Sequence, residues 1–263
     1  MSATSKGGTP EAVLQAVGVG KRFGAVVALD DVSFDVYPGE ITGLVGDNGA
    51  GKSTLLSILS AVRRPDTGTI TFDRRPANFA SPAEARAAGI ETVYQDLALA
   101  GNMTIWANIF LGRERTRGPR RLHLLDKRRM AREAREMLAP LGLNVPPIGS
   151  TVASLSGGQR QAIAIARAAA WGSKVIILDE PTAALGVGET RAVEAVIGGL
   201  REKGFGVVLV SHSMPQIERL ADRIWVLRRG RMVDHCRRAD TTMEEIVALI
   251  TGAASRFAKG FSA

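Results

Sequence analysis

A glycine-rich segment near the start of the chain has the residue types and spacing of a phosphate-binding loop. Residues 46–53 read GDNGAGKS and match G-x-x-x-x-G-K-[ST] at every fixed position. The backbone N–H groups of such a loop can curl around phosphates, because its glycines let the chain approach closely. We expect Lys52 to reach the β- and γ-phosphates, and the Ser53 hydroxyl to bind Mg²⁺. The residues expected to contact ATP here are Gly46, Asp47, Asn48, Gly49, Ala50, Gly51, Lys52, Ser53 and Thr54.

A second segment whose residues could take part in catalysis lies far along the chain, where the apolar run at 175–178 ends in Asp179 and Glu180. A buried strand can hold an acid at its carboxyl end, where the ligands of parallel sheets collect. Asp179 suits Mg²⁺, directly or through water, and Glu180 suits activation of the attacking water in phosphoryl transfer. An apolar run ending in Asp-Glu is also a common helix-start signal, but the upstream loop favours catalysis.

An α/β core is required to position these two segments. The apolar strand Ile41–Val45 leads into the loop, and residues 53–59 follow with helical spacing. The unbroken apolar runs at 174–178 and 206–210 are typical of central parallel strands that are buried on both faces. We also predict short strands at 14–19, 28–37 and 69–72, helices at 189–203 and 215–221, and a helical tail from Thr242.

The middle of the chain, from about 97 to 170, predicts a helical insertion. Asp126 is a suitable N-cap, and an apolar stripe follows it at helical spacing. The stripe consists of Met130, Ala134, Met137, Leu138 and Leu141. We therefore divide the chain into a flexible N-terminus at 1–13, one domain at 14–252 with a helical subdomain at about 97–170, and a C-terminal tail at 253–263.

The composition excludes several classes of protein. Of the 263 residues, 45% are hydrophobic and 23% are charged, an ordinary soluble balance. The sequence contains nothing near the roughly 18 to 20 consecutive apolar residues of a membrane-spanning helix, and its first eleven residues lack an apolar signal core. The single cysteine, Cys236, suits a reducing compartment. We therefore expect the chain to stay in the cytoplasm.

The formal net charge of +8 is concentrated between positions 113 and 135, which hold ten Lys and Arg residues. A basic stretch can be a solvated helix face and loop, or it can contact acidic lipid headgroups. The stretch contains no aromatic residue on which a base could stack, so we expect no nucleic-acid partner.

The segment Leu155-Ser156-Gly157-Gly158-Gln159 matches the signature loop of ABC ATPases and lies 20 residues before the acidic pair. The chain from about 14 to 252 thus resembles one ABC nucleotide-binding domain. This resemblance implies a P-loop NTPase with an α/β fold, a mixed sheet core and a helical insertion. It also implies that Ser156, Gly157, Gly158 and Gln159 present hydrogen-bond donors to a γ-phosphate at a helix N-terminus.

The same resemblance assigns three further residues. Phe23 looks like the aromatic residue that stacks on adenine, although a core phenylalanine is the competing interpretation. Gln95 looks like the glutamine that touches the metal and the attacking water and senses the membrane partner, although a lone glutamine is normally solvated. His212 looks like the switch histidine that contacts the γ-phosphate. His123 and His235 match no such position and are expected at the surface.

One position departs from the family pattern. After the acidic pair and Pro-Thr, the family usually has Ser-Ala-Leu-Asp, whereas this chain has Ala-Ala-Leu followed by Gly186. The usual aspartate helps to couple two sites across a dimer, so Gly186 puts that coupling route in doubt. The residues expected to carry out hydrolysis are unaffected.

Segments 89–99, 108–114 and 183–187 resemble the ATPases of monosaccharide importers, and the single loop and signature resemble their short, fructose-type members. The resemblance implies an ATP-hydrolysing subunit of a fructose or ribose importer at the cytoplasmic face of the membrane. Its implied partners are permease subunits, a periplasmic sugar-binding protein, and a second copy or another ATPase subunit. The alternatives are the ATPase of another importer, a translation-associated ABC protein, and a regulatory one.

Overall fold

The computed structural model describes residues 11–117, 124–139 and 146–254, and its strands form two main sheets. The first sheet is antiparallel and has the strand order β2-β1-β4-β5. Its strands are β1 (Leu14–Phe23), β2 (Val26–Val36), β4 (Thr67–Phe72) and β5 (Arg75–Pro76). A turn at residues 24–25 joins the first two strands.

The second sheet has six strands in the order β12-β11-β3-β10-β9-β6. The five strands from β11 to β6 are parallel to one another, and β12 pairs with β11 in antiparallel fashion. The sheet is therefore mixed, as predicted. Its strands are β3 (Ile41–Val45), β6 (Ile90–Val93), β9 (Val175–Asp179), β10 (Gly206–Val210), β11 (Arg223–Arg228) and β12 (Arg231–Arg237).

Eight α-helices surround these sheets in the described part of the chain. They are α1 (Lys52–Leu59), α2 (Pro82–Ala88), α3 (Ile105–Ile109), α4 (Lys127–Leu138), α5 (Gly157–Ala169), α6 (Val187–Glu202), α7 (Met214–Leu220) and α8 (Met243–Thr251). Short polar side chains cap many of their N-termini, including Asp126 on α4 as predicted, because they satisfy N–H groups that have no partner within the helix.

The buried apolar side chains form three clusters. One cluster fills the space between the antiparallel sheet and the central sheet, where Phe34 packs on Trp225 with ring centroids 5.3 Å apart. The second lies on the opposite face of the central sheet, under α5 and α6. The third joins α3, α4 and α5, which places Met130, Ala134 and Leu138 in the core as the stripe predicted.

The structure differs from the sequence predictions in several places, including the unpredicted elements β6 and α2. The insertion is not purely helical, because a two-stranded hairpin of β7 (Thr116–Arg117) and β8 (Leu124–Leu125) interrupts it. The hairpin of β11 and β12 was not predicted. His235, expected at the surface, is half-buried because its ring stacks on Trp225 at 4.5 Å. His123, Leu141 and most of the predicted terminal segments lie outside the described residues.

Candidate functional site

The glycine-rich loop connects the buried strand β3 to the N-terminus of α1, as its sequence predicted. Gly51 has φ +110°, a conformation that side-chain-bearing residues rarely adopt. A Cβ atom at Gly51 would lie 2.7 Å from the carbonyl oxygen of Ala28, and one at Gly46 would clash with the carbonyl of Leu227. The local backbone therefore requires glycine at both positions.

Lys52, the first residue of α1, is buried beneath this loop. Its Nζ atom donates hydrogen bonds to the carbonyl oxygens of Gly46, at 2.7 Å, and Asp47, at 2.9 Å. Burial lowers the pKa of Lys52, whereas the carboxylates of Glu180, Asp47 and Asp179 act to raise it. The loop thus curves around the positively charged ammonium group of Lys52.

Asp179 ends β9, in register with Val210 at the end of the neighbouring strand β10. Burial and the adjacent charge of Glu180 raise the pKa of Asp179, while Lys52 and His212 oppose that shift. Glu180 follows directly with φ +49°, a strained backbone conformation of the kind that concentrates at functional sites. Its N–H group donates to the carbonyl oxygen of Val210 at 3.0 Å, which anchors the strained residue to the central sheet.

His212 lies two residues beyond the end of β10 and contacts Glu180. Its Nε2 atom lies 2.9 Å from Oε1 of Glu180, so the two side chains form one unit. Together with the loop they surround an open cleft of about 280 Å³ at the carboxyl ends of β9 and β10. The predicted site residues that line this cleft are Asn48, Gly49, Gly51, Lys52, Ser53, Thr54, Asp179, Glu180 and His212.

Other predicted site residues lie away from this cleft. Phe23 is 40% exposed at the end of β1, which excludes the core interpretation, and the Arg63 guanidinium lies 4.9 Å from its ring centroid. Gln95 is exposed just after β6. The described residues that line the cleft include neither of these side chains, nor any of the signature residues 156–159.

The signature residues form the N-terminus of α5. Ser156 caps the helix by accepting from the N–H group of Gln159 at 3.3 Å, and Gln159 Oε1 accepts from the N–H group of Ser156 at 3.0 Å. The Gly158 N–H group donates to Oε1 of Glu189 at 3.2 Å. A Cβ atom at Gly158 would lie 2.7 Å from Cβ of Glu189, so this glycine is needed for the packing of α5 on α6.

A second cleft, also of about 280 Å³, lies between β6, the α3 region and α5. Its floor carries Glu91, which pairs with Arg113 at 3.2 Å and with Arg86 at 3.7 Å. Arg167 on α5 donates to the carbonyl oxygens of Leu97 and Ala98, both at 2.9 Å. This arginine therefore ties the segment that follows Gln95 to the signature helix. Sequence reasoning did not identify the charged residues of this cleft, because it grouped Arg113 with a basic stretch and gave Glu91 and Arg167 no role.

The donor set in the first cleft fits a magnesium ion. Ser53 and Asp179 provide hard oxygen donors beside the loop. Within the described residues, no group of three or more His, Cys, Asp and Glu side chains could hold a metal by itself. This pattern agrees with the usual Mg²⁺ site, in which one or two protein ligands act together with the phosphates of the substrate.

Comparisons with known proteins agree with this geometry. A family model described as ABC transporter matches residues 29–183. The chain is 50% identical over 248 residues to the fructose import ATP-binding protein FrcA of Rhizobium meliloti, covering 92% of this chain and 95% of that protein. It is 44% identical over 240 residues to the ribose import ATP-binding protein RbsA 1 of Rubrobacter xylanophilus, covering 91% of this chain and 47% of that protein.

Solved structures agree with the fold. A dimeric ATP-binding cassette, MJ0796, in a post-hydrolysis state bound to ADP and Pi superposes with a TM-score of 0.70 and 26% identity. The similarity covers 86% of this chain and 98% of that one. In the described parts of our chain, no helix is both long and apolar enough to cross a membrane.

Proposed function

The chain belongs to the ABC transporter family of ATP-binding proteins, which are ATPases, and from that premise we propose that it energises a monosaccharide importer. The observation that carries the ATP-hydrolysing part of this proposal is the first cleft. It brings a buried lysine, a strand-end aspartate, a strained glutamate and a histidine to one edge of the central sheet. The importers named for the relatives above transport fructose and ribose, and we propose that the substrate here is a sugar of this class.

The roles proposed for the residues follow from their placement. The loop amides and Lys52 hold the β- and γ-phosphates of ATP, with Ser53 and Asp179 as the Mg²⁺ ligands. Bound Mg²⁺ would neutralise phosphate charge. Glu180 accepts the proton of the attacking water, and His212 fixes the orientation of the Glu180 carboxylate through their 2.9 Å contact. Phe23 stacks on the adenine from the edge of the antiparallel sheet.

Closure of the site requires a second ATPase subunit in this proposal. The signature residues of a chain do not line its own cleft, so we assign them to the site of a nucleotide held by another copy. Two copies in head-to-tail contact would each complete the other's site. The dimeric state of the MJ0796 cassette supports this arrangement. ATP would hold the two subunits together, and hydrolysis would release them.

The second cleft is our proposed docking site for the permease subunits, at the cytoplasmic face of the membrane. Tyr94 is 42% exposed and Leu111 is 48% exposed at its mouth, and three arginines face one glutamate inside it. An apolar rim around a positively charged floor fits a helix end that carries acidic groups or free carbonyl oxygens. Through Arg167, a segment seated here would act on both the Gln95 region and the signature helix.

We expect the purified chain to hydrolyse ATP slowly alone, and faster with its permease subunits, a sugar-binding protein and the correct monosaccharide. The reason is that the partner seated in the second cleft aligns the signature helix with the opposite site. Turnover in vesicles should be measured with a panel of pentoses and hexoses, with maltose and an amino acid as controls. Stimulation by none of the monosaccharides, together with a defect in efflux or translation in a deletion strain, would contradict the importer assignment.

Leu111→Asp should lower the ratio of stimulated to basal turnover at least about tenfold, because the charge would be buried at the apolar rim when the permease docks. Val247→Asp is the matched control, since Val247 is 43% exposed on α8 and does not line the cleft. Equal stimulation ratios for the two variants would place the docking surface elsewhere.

A further inference from the structure

Glu189, in the first turn of α6, sits over the signature loop of its own chain. Its Oε1 atom accepts from the N–H group of Gly158 at 3.2 Å, and its Oε2 atom accepts from the N–H group of Gly186 at 3.4 Å. The Ser156 hydroxyl, ahead of the two amides, also lowers the pKa of Glu189. One carboxylate thus occupies the N–H group of a signature residue that the proposed function assigns to the γ-phosphate.

The position of Glu189 is fixed by packing as well as by hydrogen bonds. A Cβ atom at Gly158 would lie 3.1 Å from Cγ of Glu189, and one at Gly157 would lie 3.7 Å from its Oε2 atom. The first turn of α6 therefore lies directly against the N-terminus of α5. In addition, Gly186 has no side chain with which to cap α6, so the carboxylate that bonds its N–H group also stabilises the start of that helix.

We propose that the Glu189 carboxylate takes the place of the γ-phosphate at the signature loop of its own chain. The γ-phosphate must displace this carboxylate before two subunits close over ATP. This inference depends on the head-to-tail site of the proposed function. The N–H group of Gly158 cannot make a full hydrogen bond to the carboxylate and to a phosphate oxygen at once. Glu189 is thus a positioning residue that acts through Gly158, and it sets the ATP concentration at which subunits associate.

The cost of leaving the carboxylate in place is electrostatic. In water, two like unit charges about 4 Å apart repel strongly enough to weaken association about fivefold, and the effect is larger where water is partly excluded. The phosphate displaces the carboxylate from the Gly158 N–H group because it carries more negative charge and more acceptor oxygens. Without the negative charge at position 189, closure should require less ATP.

The test is Glu189→Gln, which keeps the shape of the side chain and removes its charge. The full chain is used in the Glu180→Gln background, so that hydrolysis does not obscure association. We expect the ATP concentration for half-maximal dimer formation to fall at least about threefold, and the difference to shrink in about 1 M salt, where exposed charges are screened. Glu202→Gln, at the exposed far end of α6, is the matched control and should leave that concentration unchanged.

A merely structural role for Glu189 gives the opposite result. If the carboxylate only braces α5, Glu189→Gln should raise the half-maximal ATP concentration and lower the melting temperature together. That outcome, or a concentration equal to that of the Glu202→Gln control, would overturn the proposal. If the Glu180→Gln parent itself does not dimerise with ATP, the head-to-tail site of the proposed function fails, and the inference fails with it.

Discussion

Glu180→Gln is expected to lower ATP turnover at least about a hundredfold while ATP binding survives, because glutamine cannot accept the proton of the attacking water. The substitution keeps the length of the side chain and a hydrogen-bonding group for His212, which lies 2.9 Å from the carboxylate in the wild type. It leaves Lys52 and the loop amides untouched. The loss should therefore appear in kcat, with little change in nucleotide affinity.

Two measurements check this result. Turnover should be followed by phosphate release, and the oligomeric state by size-exclusion chromatography with ATP, where the variant should accumulate as a dimer. Glu202→Gln, a neutral replacement on the exposed end of α6, controls for loss of charge alone and should retain wild-type turnover. Hydrolysis at the wild-type rate by Glu180→Gln would mean that another group is the base.

Much of the first cleft could be predicted from the sequence, because its parts are local. The strand, loop and helix from Ile41 to Leu59 are continuous in the chain, and the spacing of glycines and lysine is set by the phosphate that the loop surrounds. Asp179 and Glu180 were predicted because a buried apolar strand can carry acidic residues only at its carboxyl end. Parallel pairing of β10 with β9 then brings His212 to the same edge of the sheet.

The features that were missed depend on contacts between distant segments. Glu189 contacts Gly158, which lies 31 positions earlier. The sequence around Glu189 does not distinguish it from an ordinary exposed helix residue. Arg167 contacts the carbonyl oxygen of Leu97, 70 positions earlier, and α5 would be amphipathic with or without that contact. Hydrophobic patterning reports which face of a helix is buried. It does not report which backbone carbonyl a long side chain reaches.

A pair of inactive variants should restore each other if the site is shared between subunits. Lys52→Ala removes the cation of the loop, and Ser156→Asp places a carboxylate against the γ-phosphate of the opposite site. Each homodimer should lose at least about a hundredfold in turnover. In a heterodimer of the two, both lesions fall in one site and the other site is intact. That dimer should close with ATP and regain up to about half of the wild-type turnover if the sites act independently.

Ser156 is the better position for this experiment than its neighbour Gly158, since a Cβ atom at Gly158 would lie 2.7 Å from Glu189 and disturb the fold. Ser156 is exposed, and aspartate caps a helix about as well as serine. Ser156→Asn is the matched control, because asparagine also caps well but carries no charge, and its homodimer should remain the more active of the two.

The heterodimer should be made as a covalently linked pair and compared with a linked wild-type pair. If the linked wild type closes and turns over but the heterodimer does neither, the sites are not shared head to tail, or both must be intact for either to work. Partial hydrolysis in the heterodimer would show that one intact site suffices. That result would agree with the expectation from the sequence that Gly186 puts coupling between the two sites in doubt.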